Sequence, residues 1–357
     1  MGSWCELESS DGHRLAAWRA DPAHAPLGAI VLIQEIFGVN AHVRGVADRY
    51  AEAGYAVLAP ALMDRAERGV ELGYDEAGVA RGRDLVARTG FDNALRDVAA
   101  AAAALEGAGY VAAIGFCWGG TVALLANTRL GLPAVSYYGG RSQPFLHERS
   151  RAPLLLHFGA RDPIIPPDHA ERIRTAHPDA DSFTYDAGHG FNCDARADYD
   201  ATSAQTALDR TLAFLRTHLA PGAEQGFELD PRLADGARVV VELPLCRVLL
   251  VDEARFPWLI LVPRRAACRD LIDLEPHAQG RALAEVERAA RVLRATTRCE
   301  KLNIASLGNQ VAQLHIHVIA RHADDAAWPR PIWGVGDRVP YPGSELEGLL
   351  ERLREAL

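Results

Sequence analysis

Between Ala29 and Leu219, six short apolar runs rich in β-formers alternate with longer segments at helical spacing: Ala29–Ile33, Ala56–Ala59, Tyr110–Gly115, Ala134–Tyr138, Pro153–Gly159 and Ser182–Asp186. A strand buried on both faces reads as a continuous apolar run, and a helical crossover makes consecutive strands parallel. The alternation therefore predicts a doubly wound, mostly parallel sheet with helices on both faces. One helix spans Asn93–Leu105, with Asp92 as its expected cap, and its run Ala99–Ala104 suits close packing on the sheet. The last helix ends near His218-Leu219, and the turn-formers that follow read as a linker over 221–226.

At 357 residues the chain is longer than one core usually grows. A first domain over 1–220 and a second over 227–357 are expected. In the second, the β-rich runs Arg247–Val251 and Trp258–Val262 precede a long helix, Pro276–Thr297, with Leu283, Val286, Ala290 and Leu293 on one face. The strand Gln313–Ala320 follows, which makes a small α+β domain.

A hydrophobic fraction of 49% and a charged fraction of 24% describe an ordinary soluble protein. No apolar run reaches the roughly 18–20 residues of a membrane span, and the N-terminal residues have neither a basic start nor an apolar core, so a cytoplasmic location is expected. The net charge of -9 gives no general attraction to nucleic acid or to an anionic membrane. Small molecules are the expected partners, and a phosphate-bearing one needs a local site. The six cysteines, Cys5, Cys117, Cys193, Cys246, Cys268 and Cys299, show no Cys-x-x-Cys spacing, which argues against a disulfide framework and a zinc site. No metal or cofactor is expected.

Chemistry concentrates at Cys117. In Tyr110-Val-Ala-Ala-Ile-Gly-Phe-Cys-Trp-Gly-Gly-Thr-Val-Ala-Leu-Leu a strand runs into a tight turn and then a helix, with a nucleophile at the turn and glycines where no side chain fits. A base and an orienting acid should follow in the order acid, then histidine. Asp162 follows the run Leu154–Phe158 and His189 follows the last run, so both loops open on the same sheet edge as Cys117. In this reading His189 takes the thiol proton and Asp162 fixes its tautomer. The plainer alternatives are a buried inert thiol, a turn aspartate before proline and a loop-capping histidine.

Gly115-Phe-Cys-Trp-Gly-Gly, Gly159-Ala-Arg-Asp162, Ala187-Gly-His189-Gly-Phe and Gln34-Glu-Ile-Phe-Gly-Val-Asn resemble the dienelactone hydrolases over nearly all of residues 1–220. The resemblance implies an α/β-hydrolase fold and hydrolysis of an ester, lactone or thioester. It also implies that Glu35 contacts the resting cysteine and moves when substrate arrives. A carboxylate beside a thiol disfavours the thiolate, so Glu35 would keep Cys117 idle until displaced; otherwise Glu35 is a solvent-facing residue at a strand end. Backbone N–H groups of Ile36 and Trp118 are the implied oxyanion hole. Where the family places a carboxylate-gripping arginine shortly after the histidine, this chain has Phe191-Asn-Cys193-Asp. A different acid portion is therefore expected, with Cys193 either a pocket wall or a small buried residue.

In Gln313-Leu-His315-Ile-His317-Val-Ile-Ala, period two puts Gln313, His315 and His317 on one face of a strand. The choices are a polar face, a nucleophilic histidine, or zinc ligation, for which further ligands at suitable spacing are not apparent. With Pro257-Trp-Leu-Ile-Leu-Val-Pro-Arg-Arg, Asn303 and Gly308, the stretch resembles the histidine triad superfamily over about 227–334. The resemblance implies a nucleotidyl-histidine intermediate on His315, with Asn303, Gln313 and His317 contacting phosphate or ordering the site, and a nucleotide such as AMP or a dinucleoside polyphosphate as partner. Gln313 stands for the motif's first histidine and cannot carry a proton, which leaves open a module that only senses nucleotide or dimerises. A homodimer is open too. Trp328 and Trp333 either stack on a base or seal the sheet.

Overall fold

The computed structural model describes residues 2–219, 227–274 and 276–357, so the expected linker at 221–226 lies outside the described residues. The chain divides into two compact units whose boundary falls within that stretch.

The first unit is built on an eight-stranded sheet: β1 (Ser3–Glu8), β2 (Arg14–Ala20), β3 (Ala29–Ile33), β4 (Ala56–Pro60), β5 (Val111–Phe116), β6 (Ala134–Tyr137), β7 (Leu154–Gly159) and β8 (Asp181–Tyr185), in the order β1-β2-β4-β3-β5-β6-β7-β8. From β4 to β8 every neighbouring pair is parallel. Each residue of β3 to β7 is buried, because helices cover both faces. The six expected runs fall on β3 to β8, while β1 and β2 form an antiparallel edge that the pattern had not revealed. With one side exposed, Ser3–Glu8 lacks the apolar density of an inner strand.

Asp92 is not the cap of its helix. The helix runs Phe91–Ala104 from Gly90, whose φ of 70° turns the chain out of the preceding helix Glu76–Thr89. Asp92 sits in the first turn and meets Arg129 at 2.9 Å. True caps stand at Asn40 and Asp75, whose side chains accept from the N–H groups of Val43 and Gly78.

The second unit has an antiparallel sheet of β9 (Ala237–Glu242), β10 (Cys246–Val251), β11 (Trp258–Pro263), β12 (Lys301–Ala305) and β13 (Ile316–Arg321), ordered β12-β13-β11-β10-β9. The helix Pro276–Thr297 packs on it with Ala278, Ala282, Val286, Ala289 and Leu293 buried at spacings of three and four. Leu283, expected on that face, is 55% exposed, because the stripe follows 282 and 286 instead. A second helix, Glu345–Ala356, buries Leu346, Leu349, Leu350 and Leu353.

Candidate active sites

Cys117 follows directly on β5 and precedes the helix Trp118–Leu125. Its φ of 55° and ψ of −115° hold a non-glycine residue in a strained turn. The glycines answer to close backbone approach: a Cβ on Gly115 would lie 1.9 Å from the carbonyl oxygen of Gly119, and one on Gly119 would lie 2.3 Å from that of Gln34. Helix and strand therefore touch through backbone, and Cys117 lines a cavity.

At that edge Asp162 follows β7, His189 follows β8 and Glu35 follows β3. Cys117 Sγ lies 3.1 Å from His189 Nε2, and His189 Nδ1 lies 2.7 Å from Asp162 Oδ2. The other Asp162 oxygen accepts from the N–H groups of Ile164 and Ile165 at 2.7 and 3.1 Å, which anchors the carboxylate. Both Asp162 and His189 are buried. Burial pulls the imidazole of His189 down, but its bonds to Asp162 and Cys117 outweigh this and hold its pKa at about 10.

Glu35 is buried, and its Oε1 accepts from Arg196 Nη1 at 3.2 Å. Its Oε2 has no partner among the described residues. The carboxylate is thus paired with Arg196, while the thiol faces His189. A cavity of about 100 Å³ beside the thiol is lined by Ile36, Trp118 and His189 and by three arginines, Arg83, Arg141 and Arg196. The N–H of Trp118 opens a helix and has no acceptor within it. No arginine follows His189 within the next few residues, nor does local pattern assign one from Tyr74–Arg83; Arg83 and Arg141 reach the cavity through the fold, and Arg196 comes back to Glu35 from farther along the loop after His189. Phe191 and Cys193 are fully buried, and burial, then Glu35, push the Cys193 thiol up to about 11.

Among the described residues one group has metal-ligand spacing, His42, Cys193 and Asp194, with ligand atoms within 4.8 Å of one another. His42 Nδ1 and Asp194 Oδ1 pair at 2.8 Å. The group shares no residue with Cys117, Asp162 and His189.

In the second unit β13 begins only at Ile316, so Gln313 and His315 precede the strand and the expected single face breaks up. His315 and His317 remain together, their rings 4.8 Å apart and at 89°. His315 Nδ1 lies 2.6 Å from the carbonyl oxygen of Gln313, and the indole N–H of Trp258 donates to His317 Nδ1 at 3.0 Å. Burial, reinforced by His315, lowers the pKa of His317 to about 4. Both imidazoles line a cavity of about 610 Å³ with Trp258, Trp333, Gly308 and Asn309.

Neither Gln313 nor Asn303 is among the residues lining that cavity. The Gln313 carboxamide is used up on backbone: it accepts from Asp230 N–H at 2.9 Å and donates to the Glu228 carbonyl at 2.8 Å. Asn303 accepts from Arg321 at 2.7 Å, and Arg321 is held in turn by Asp325. Trp333 lines the cavity, whereas Trp328 lies over Arg321 at 5.7 Å. Period two assigns a face; it does not say which backbone a terminal carboxamide will meet.

No helix among the described residues is long and apolar enough to cross a membrane. The dienelactone hydrolase family model matches residues 15–219, and the HIT domain model matches residues 234–324. A carboxymethylenebutenolidase of Pseudomonas putida is 32% identical over 221 residues, covering 58% of this chain and 94% of its own. A crystal structure assigned as a dienelactone hydrolase from Klebsiella pneumoniae is 30% identical at a TM-score of 0.53, covering 61% of this chain and 100% of its own. A histidine triad protein from Bradyrhizobium japonicum is 43% identical over 37% of this chain and 98% of its own, at a TM-score of 0.36. The chain belongs to the dienelactone hydrolase family, and a HIT domain follows its hydrolase domain.

Proposed function

We propose that the first domain, 1–220, hydrolyses a small carboxylic ester, lactone or thioester through a cysteinyl acyl-enzyme. The observation that carries this is the continuous chain from Cys117 through His189 to Asp162, at 3.1 and 2.7 Å. His189 takes the thiol proton, and the sulfur attacks the carbonyl carbon. The charge that develops on oxygen is met by the N–H groups of Ile36 and Trp118. As the tetrahedral adduct collapses, the bond from the carbonyl carbon to the leaving oxygen, or to the leaving sulfur of a thioester, breaks and His189 returns the proton to that atom. A water deprotonated by His189 then releases the acid from the thioester. Of the cavity's three arginines Arg196 is paired with Glu35, and Arg83 and Arg141 favour an acyl group that itself carries a carboxylate. The relative's name points the same way, since a carboxymethylenebutenolide is an unsaturated lactone bearing a carboxylate arm. Mass spectrometry of the protein mixed rapidly with p-nitrophenyl acetate should find an acetyl group on the Cys117 peptide. Turnover with the acyl group on another residue would overturn the assignment.

Glu35 and Arg196 should tune the nucleophile in opposite senses. A buried carboxylate near the thiol opposes thiolate formation and a guanidinium favours it. Glu35→Ala should therefore speed iodoacetamide modification of the Cys117 peptide about tenfold. Arg196→Met should slow it by a similar factor. No change in either variant would leave the Glu35–Arg196 pair without a regulatory part.

For the second domain, 227–357, we infer nucleotide binding and cleavage of a bond at phosphorus, with His315 as nucleophile. The bond from His315 Nδ1 to the Gln313 carbonyl supports this, because it leaves Nε2 with the lone pair. His315→Ala should abolish nucleotide turnover and leave AMP binding within about threefold, a change under 1 kcal/mol. Wild-type protein that binds AMP by calorimetry but turns over neither a dinucleoside polyphosphate nor a phosphoramidate would make the domain a sensing module. The displacement of Gln313 from the cavity is the observation that favours this second reading.

A further inference from the structure

His315 and His317 face one cavity, yet their surroundings force them into opposite protonation patterns. A backbone carbonyl can only accept, so His315 carries its proton on Nδ1 and offers the Nε2 lone pair. An indole N–H can only donate, so His317 accepts at Nδ1, and its single proton is on Nε2. A charged His317 would need a second proton at Nδ1, where Trp258 already points one. The register supports this geometry: Trp258 opens β11 and pairs with Ile319, while His317 pairs with Ile260 of the same strand. The Trp333 ring meets the same imidazole at 5.4 Å between ring centroids.

We propose that Trp258 makes His317 a fixed, neutral hydrogen-bond donor with no proton to give away, so that this site favours bonds whose leaving group departs as a stable anion, nucleoside phosphoric anhydrides over phosphoramidates. The proposal rests on the nucleotidyl-histidine reading of His315. In the anhydride reaction, His315 Nε2 forms a bond to the α-phosphorus while the P–O bond breaks, and the electron pair leaves on a phosphate oxygen without needing a proton. The His315 imidazolium keeps its Nδ1–H on the Gln313 carbonyl. Water then attacks phosphorus, the N–P bond breaks, and the nucleoside monophosphate and one proton are released. Throughout, His317 donates its Nε2–H to a phosphoryl oxygen and retains it.

A phosphoramidate makes a further demand, because an amine leaves only after gaining a proton. Were His317 to supply it, an imidazolate would remain. Among the described residues, the other ionisable groups lining the cavity are Arg232, Arg255, Arg338, Asp235 and Glu253. Arginines do not give up protons, and carboxyl groups as a class are ionised at neutral pH. Although burial raises the pKa of Glu253, the bonds from Arg255 outweigh that effect and lower it. The low pKa of His317 agrees with a ring that stays neutral from about pH 5 upward.

Two measurements on the full-length chain test this separately. Two-bond proton–nitrogen NMR of ¹⁵N-histidine-labelled protein, with His317 assigned by its loss in His317→Gln, should show a neutral ring protonated on Nε2 from pH 5 to 8. Trp258→Phe should release it into a titrating or mixed tautomer. A charged or Nδ1-protonated His317 in the wild-type protein would overturn the proposal. Kinetically, kcat/KM for P1,P3-diadenosine triphosphate should exceed that for adenosine 5′-phosphoramidate by about 10²-fold, the lower range for general acid catalysis. Trp258→His should narrow the ratio about tenfold, mainly through kcat. Equal rates in the wild type would contradict the leaving-group preference even if the tautomer is as assigned. Failure to cleave either compound, with AMP still bound, would sink the hydrolytic reading and the preference with it, while the NMR result would still decide the state of His317.

Discussion

Cys117→Ala should lower kcat/KM for an activated ester by at least about 10⁴-fold, because nucleophile and base act as one unit in such sites. The same physics predicts that Cys117→Ala/His189→Gln falls little further than either single change. His189 keeps Asp162 as its partner when the thiol is removed, so the fold should survive and circular dichroism should be unchanged. Activity retained in Cys117→Ala would mean that the ester is cleaved elsewhere, and the proposed chemistry of the first domain would be lost. AMP binding in the second domain serves as an internal control and should not move.

The second large effect is on stability and comes from residues that carry no chemistry. Gly119→Ala would set a Cβ 2.3 Å from the Gln34 oxygen and 2.6 Å from the Ile33 oxygen. Gly115→Ala would set one 1.9 Å from the Gly119 oxygen. These are backbone atoms at the end of an inner strand and in the first turn of the helix Trp118–Leu125, so they cannot rotate aside. Each change should cost about 3 kcal/mol, the upper part of the range for overpacking. With Tm falling about 2–4 °C per kcal/mol in a domain of this size, the first domain should lose esterase activity on heating about 6–12 °C earlier. Gly45→Ala is the matching control. Gly45 lies within the helix Ala41–Glu52, and its added Cβ meets nothing within 4 Å. That variant should gain about 0.5–1 kcal/mol. If Gly119→Ala were as stable as the wild type, close packing would not explain the glycines that flank Cys117.

Glycine at 115 and 119 and the alternation of runs were legible because both are local demands, one of steric room and one of period. The order cysteine, aspartate, histidine was legible for a related reason: each residue follows a parallel strand, and all such strands deliver their loops to one edge. The partners of long polar side chains were not legible. Glu35 pairs with Arg196 across 161 positions of sequence, and Gln313 reaches the backbone of Glu228 and Asp230 across more than 80. Asn303, expected to contact phosphate or to order the site, lies on β12 and receives Arg321 from the neighbouring strand β13. The edge strands β1, β9 and β12 escaped notice because their exposed residues dilute the apolar pattern.

The sequence by itself determined the two-domain plan and the turn at Cys117, because strand periodicity and glycine-lined turns are written in neighbouring residues, and its separate motifs carried the resemblance to both families. Only the tertiary structure decided what surrounds each reactive atom. It brought three arginines to the Cys117 cavity, turned Gln313 away from the histidine pair and set Trp258 against His317. The physical reason is range: backbone conformation is governed within a few residues, whereas the charge and proton of a buried side chain are set by whatever group the fold carries to within about 3 Å of it.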